Sequence, residues 1–162
     1  MAEYKYCPLC GTRLVPGEFE GRPRMKCPME GCGYVQWDNP LPVVAAVIEH
    51  DGKVLLARNR LWPEKMLGLV TGFLEKGEEP SGAVLREVGE ELGLEGRVAG
   101  LIGVYPFFHM NQIIIAYHVV TTGEVKLGEE IAEIKLIPAE KGRPWPSGTG
   151  QALADWLAAR RQ

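Results

Sequence analysis

All four cysteines of this 162-residue chain fall within its first 32 residues. They form two pairs, Cys7-Pro-Leu-Cys10 and Cys27-Pro-Met-Glu-Gly-Cys32, sixteen residues apart, and a glycine, Gly11 or Gly33, follows each pair. Two short-spaced thiol pairs in turns marked by proline and glycine can set four thiolates at the corners of a tetrahedron, the geometry structural Zn²⁺ prefers. A disulfide framework would spread its cysteines through the chain. The spacing therefore predicts a zinc ribbon over residues 1–38, held by Cys7, Cys10, Cys27 and Cys32. So short a segment has almost no apolar core, and metal binding would supply most of its folding free energy.

Beyond the ribbon, Trp37-Asp38-Asn39-Pro40-Leu41-Pro42 predicts a stiff exit, because each proline restricts its own backbone and that of the residue before it. A second domain is expected over residues 39–162. Its pattern predicts a hairpin of strands 43–48 and 53–57 turning at His50-Asp51-Gly52, and a strand over 68–72. A charged loop leads to Pro80, and a helix over 80–92 follows with Val84, Leu85, Val88 and Leu92 on one face. Strands are expected over 98–105, 113–120 and 134–137, and a last helix over 151–160 with Leu153, Trp156 and Leu157 as its apolar stripe. Helices and strands interleave without a regular βαβ period, so the fold class is α/β in the mixed, α+β sense, built in layers.

Bulk properties exclude several classes. With 46% hydrophobic residues the chain is no disordered segment, and a net charge of −3 gives no reason to expect nucleic acid or an anionic membrane as an obligatory partner. The ribbon balances five basic residues (Lys5, Arg13, Arg22, Arg24, Lys26) against five acidic ones (Glu3, Glu18, Glu20, Glu30, Asp38), a poor phosphate tracker. No apolar run approaches the ~20 residues of a membrane span, and the start lacks a signal-peptide core, so the cytoplasm is the expected compartment.

The acidic side of the first helix carries the chemistry. Glu87, Glu90 and Glu91 lie at relative positions zero, three and four, within one arc away from Val84 and Val88. Hard oxygen ligands gathered on one rigid element suit Mg²⁺ or Mn²⁺ rather than zinc. On their own the three glutamates fit a solvated acidic face equally well.

The surroundings extend the pattern. From Gly72 there are five residues to Glu78, seven more to Arg86-Glu87, then Val88, Gly89, Glu90-Glu91, Leu92, Gly93 and Leu94. This 23-residue stretch resembles, at every defining position, the G-x5-E-x7-R-E-U-x-E-E-x-G-U signature of the Nudix hydrolases, U being aliphatic. An upstream cysteine ribbon, Asn39-Pro40-Leu41-Pro42 and the G-x-G-x-A-like start of the last helix extend the resemblance to the zinc-ribbon members related to NADH pyrophosphatases. The resemblance implies an α/β/α sandwich with a mixed sheet, and hydrolysis of a nucleoside diphosphate linked to another group. It implies that Glu87, Glu90 and Glu91 hold Mg²⁺ or Mn²⁺ and that Arg86 orients Glu78 or another carboxylate through a forked salt bridge. Related enzymes commonly pair, so a homodimer is among its implications.

A further carboxylate from a downstream loop is implied too, with Glu130 preferred and Glu133 second, while the general base stays open among Glu90, Glu91 and Glu130. Where NADH-specific relatives carry S-Q-P-W, this chain has Gly103-Val104-Tyr105-Pro106-Phe107-Phe108-His109, a departure that argues against NADH. Phe107 and His109 remain candidate substrate contacts, for a base and for a phosphate or ribose, and Gly72 is set with them. His50 and His118 show no sequence partner that suggests catalysis. No serine-hydrolase elbow, phosphate loop or H-E-x-x-H site occurs. The alternative to an enzyme is a nucleotide-sensing or nucleic-acid-binding regulator built on the same two domains.

Overall fold

A computed structural model describes residues 4–160, in two compact units divided after Pro40. The first holds a three-stranded antiparallel sheet of β1 (Val15–Phe19), β2 (Arg22–Lys26) and β3 (Val35–Gln36). Among the described residues its buried apolar side chains are Cys7 and Leu14, which is little for a sheet to close around. Phe19 packs edge-on against Trp37 at 5.4 Å, and the Arg24 guanidinium lies 5.6 Å from the centre of the same indole.

The second unit contains strands β4 (Leu41–His50), β5 (Lys53–Asn59), β6 (Val70–Phe73), β7 (Gly96–Phe107), β8 (Gln112–Thr121) and β9 (Ile131–Ile137). Two helices, α1 (Pro80–Leu92) and α2 (Thr149–Ala159), complete it. The sheet runs β7-β8-β4-β5-β9, and β6 shares an edge of β4 with β5. β4 and β8 are parallel; every other pairing is antiparallel. β4 is buried on both faces, and strand alternation divides its side chains between two cores. Val44, Ala46 and Ile48 meet Val84, Val88 and Leu92 of α1, while Ala45 and Val47 meet Ala152, Leu153, Trp156 and Leu157 of α2. The result is the expected α/β/α sandwich with a mixed sheet.

Strands β4, β7, β8 and β9 begin one to three residues before the sequence pattern places them, at Leu41, Gly96, Gln112 and Ile131, and two further starts have a visible local reason. Residues 68 and 69 precede β6 proper: Gly68 forms an isolated bridge to Ala57, where a β-carbon would meet the Trp62 ring at 2.8 Å. The last helix begins at Thr149, earlier than expected, because Gly150 tucks against the Trp145 carbonyl where any side chain would collide. His50 closes β4 rather than standing in the turn, is buried, and places Nδ1 2.9 Å from Thr121 Oγ1.

His118 also has a partner, invisible in the sequence. Its Nε2 lies 2.9 Å from Glu49 Oε2, and Arg160 donates to that oxygen at 2.6 Å while covering the Trp156 ring at 4.7 Å. Burial alone would raise the Glu49 carboxyl, but the hydrogen bonds from Arg160 and His118 outweigh it and hold it below its ordinary range. The cluster fastens the end of α2 to the sheet. Among the described residues no helix is long and apolar enough to cross a membrane.

Candidate active site and metal centre

Helix α1 is set by its ends. Glu79 is extended, Pro80 supplies the first turn, and Gly93 at φ 63° stops the helix, donating its N–H to the Gly89 carbonyl at 2.9 Å. Carbonyls near a helix end lack intrahelical donors. Here the segment leading to β9 supplies them: Lys126 N–H reaches the Leu92 carbonyl and Gly128 N–H the Glu91 carbonyl, both at 2.8 Å. This docking carries Glu130 to the acidic side of α1. It requires Gly128, since a β-carbon there would collide with the Glu90 carbonyl oxygen.

One guanidinium organises three of the carboxylates. Arg86 forks onto Glu78, Nε to Oε1 at 2.8 Å and Nη2 to Oε2 at 3.1 Å. Its Nη1 donates to Glu87 Oε1 at 2.7 Å and Glu90 Oε2 at 3.1 Å, and Nη2 also reaches the Phe73 carbonyl at 3.2 Å. The Arg86 hydrogen bonds hold the Glu78 carboxyl below the usual range, and Glu78 and Glu87 raise Arg86 in turn. Glu91 has no such partner among the described residues. Burial, then the charges of Glu87, Glu130 and Glu90, push its pKa up to about 8. Without a cation it therefore carries a proton at neutral pH, and a divalent ion would replace that proton as the neutralising charge.

Gly72 stands behind this cluster. A β-carbon on it would overlap the Glu87 carboxyl, so the glycine gives that side chain its place. Gly72→Ala is expected to displace Glu87 and lower metal-dependent turnover by about 10–100-fold, the scale of losing an outer support of a metal ligand. Steady-state kinetics beside a thermal melt would separate this from unfolding. Glu133 instead pairs with Arg58 at 3.1 Å on the β5–β9 ladder, so Glu130 is the downstream acid that the structure brings to α1.

On the α2 side of the sheet lies a cleft of about 450 Å³. Trp62, Phe107 and Trp145 line it, with Lys65, Thr71 and Gln112 among its polar groups. The Trp62 ring faces Gly68, and Phe107 lies 3.5 Å from where a Gly148 β-carbon would stand. Thr71 faces the cleft and its neighbour Gly72 faces Glu87, so one strand end separates cleft from carboxylates. Phe107 belongs to the cleft wall; His109 is exposed in a single helical turn at Phe108–Met110 and does not line it. Tyr105 is half-buried, donating to Asp155 at 2.7 Å. No spacing rule singles out Trp62 and Trp145; only the fold brings these distant segments together.

In the first unit the Sγ atoms of Cys7, Cys10, Cys27 and Cys32 lie within 4.8 Å of one another, with 3.6 Å between Cys7 and Cys32 and 3.4 Å between Cys10 and Cys27. A tetrahedron with ~2.3 Å metal–sulfur bonds has edges of about 3.8 Å, whereas a disulfide needs about 2.05 Å. Four free thiols at these separations fit a zinc ribbon.

A layered domain with an acidic helix entered from a glycine-flanked loop, and with carboxylates clustered on one arginine, holds the ingredients of a divalent-cation site. The NUDIX domain family model matches residues 39–156, and the chain belongs to that family. It is 31% identical over 163 residues to an NAD-capped RNA hydrolase NudC of Pseudomonas aeruginosa, covering 97% of this chain and 56% of that protein. It therefore spans about half the length of this relative. An ADP-ribose pyrophosphatase of Methanocaldococcus jannaschii is 37% identical over 105 residues, 60% of this chain and 62% of that one. The structure of a NUDIX hydrolase from Nitrosomonas europaea aligns with a TM-score of 0.82 at 26% identity, covering 98% of this chain and 93% of that one.

Proposed function

We propose that this chain is a Mg²⁺-dependent hydrolase that cleaves the diphosphate linkage of a nucleoside diphosphate joined to another moiety, releasing a nucleoside monophosphate. The observation that carries the reading is the carboxylate cluster, Glu78, Glu87 and Glu90 gathered on Arg86 with the buried Glu91 beside them, its pKa pushed up to about 8 by burial and by the charges of Glu87, Glu130 and Glu90. Glu87, Glu90 and Glu91 would hold Mg²⁺ or Mn²⁺, with Glu130 adjoining them. Bound there, the ion supplies charge neutralisation at phosphate oxygens and an acidified water. Arg86 fixes Glu87 and Glu90 and keeps Glu78 ionised. Glu130, exposed and free of an arginine partner among the described residues, stands with Glu90 and Glu91 among the groups that would accept a proton from water. The Trp62, Phe107 and Trp145 walls suit a flat base, and the cleft volume falls in the ~300–1,000 Å³ range of ligand sites.

ADP-ribose and dinucleotides such as NAD(H) and FAD are the substrates to test, in keeping with the names of the related pyrophosphatase and capped-RNA hydrolase. The four thiolates would hold a structural Zn²⁺. The deciding experiment incubates the full chain with ADP-ribose, NAD⁺, NADH, FAD, dinucleoside polyphosphates and NAD-capped RNA under Mg²⁺ or Mn²⁺, and identifies the bond cut from the products. Release of nucleoside monophosphate supports the reading. Tight nucleotide retention with no turnover under any divalent ion would establish a sensor instead.

A further inference from the structure

We infer that Asn59 is a positioning residue for Glu130, an inference resting on the reading of Glu130 as part of the cation-holding set. β5 and β9 run in step from Val54↔Ile137 to Arg58↔Glu133; the register then slips, and Asn59 faces Ile131. A bulge of this kind bends a strand and re-aims a side chain. Here Asn59 Nδ2 donates to Glu130 Oε2 at 3.3 Å, and the next residue, Arg60, donates its N–H to the Glu130 carbonyl at 2.8 Å.

The Asn59 amide is itself held. Its Oδ1 accepts the Leu61 N–H at 2.9 Å, an Asx turn, and its carbonyl accepts the Trp62 N–H at 2.9 Å. With oxygen committed to the turn, the amide nitrogen faces the acid. Glu130 is thus gripped from two sides, by Asn59 and by the Gly128 contact to the end of α1.

The choice of donor has a chemical consequence. Glu78, Glu87 and Glu90 answer to a guanidinium, whereas the side-chain donor to Glu130 among the described residues is a neutral amide. An amide fixes the direction of a carboxylate without cancelling its charge. Glu130 is therefore held in direction by a donor that brings no positive charge beside it, and loses its freedom to swing into solvent.

The test is a titration of the full chain with Mn²⁺ alone, reading free ion by electron paramagnetic resonance, for wild type, Glu91→Gln, Asn59→Ala, Asn59→Ser, Glu130→Gln and Asn59→Ser/Glu130→Gln. Serine keeps an oxygen for the Leu61 N–H but is too short to reach Glu130. Both Asn59 variants are expected to weaken Mn²⁺ binding about fivefold, the scale of one hydrogen bond. On the Glu130→Gln background the serine change should cost almost nothing more, because the two residues act as one. Wild-type affinity in Asn59→Ser, an equal loss on both backgrounds, or no loss in Glu130→Gln would overturn the inference. If wild type binds Mn²⁺ and Glu91→Gln does not, the carboxylate reading survives that failure; a wild type that binds no Mn²⁺ overturns both.

Discussion

Glu91→Gln is expected to remove metal-dependent hydrolysis by about 10²–10³-fold or more, the scale seen when a group stabilising transition-state charge is lost. Glu87→Gln should behave alike. The folded protein should not suffer, and metal-free Glu91→Gln should be the more stable protein at alkaline pH. In the wild type the folded-state pKa of Glu91, about 8, lies above the ordinary 4.5 of a glutamate. The native state then binds this proton more tightly than the unfolded chain, so the cluster costs stability progressively as pH rises from 4.5 to about 8, and the cost is constant above that. Glutamine carries no such charge. Melting curves at pH 5 and pH 9 in a chelator should show the variant gaining on wild type only at the higher pH, and added Mg²⁺ should erase the gain by stabilising wild type alone. Near-normal turnover in both glutamine variants would sink the assignment.

Cys27→Ser carries the other large effect. Apparent binding free energies of structural zinc run to about 10–16 kcal/mol in small ribbons at neutral pH. With Cys7 and Leu14 as its buried apolar side chains, the first unit has nothing comparable to fall back on. The variant should lose its zinc by elemental analysis, and amide protection should collapse over β1, β2 and β3 while the β4–β8 ladder stays protected. A chelator strong enough to strip wild type should reproduce that map. A wild type that is folded and zinc-free would refute the ribbon.

What the sequence disclosed and what it withheld divide along physical lines. Helix α1 runs from Pro80 to Leu92 as its spacing predicts, because a proline start, an apolar face at three- and four-residue intervals and a left-handed Gly93 are all local signals. The thiol pairs are legible for the same reason. Glu130 could be placed near the helix only through resemblance, since its approach depends on Gly128 and Lys126 docking on carbonyls of Glu91 and Leu92. Glu49, His118 and Arg160 lie in three elements that no spacing rule joins. The cleft is still less legible: Trp62 and Trp145 sit in segments without periodicity, each seated on a glycine whose role shows only when the neighbouring backbone is in place.

The parallel pairing of β4 with β8 bears on the order in which the chain can be made. Val43 to Ile48 is an apolar, bulge-free strand, and the edge of it that faces β8 stays bare until Gln112 and the residues after it have been synthesised. Helix α1 and four carboxylates of the cluster, Glu78, Glu87, Glu90 and Glu91, are made well before then, while Glu130 comes after. A growing chain, or a fragment ending short of residue 112, therefore displays an acidic helix whose last carbonyls still lack Lys126 and Gly128, beside an open strand edge, the kind of surface that pairs with a neighbour's strand. Truncations in this family of sequences are best cut outside the span from β4 to β8, because the half-made sheet between them is a template for aggregation.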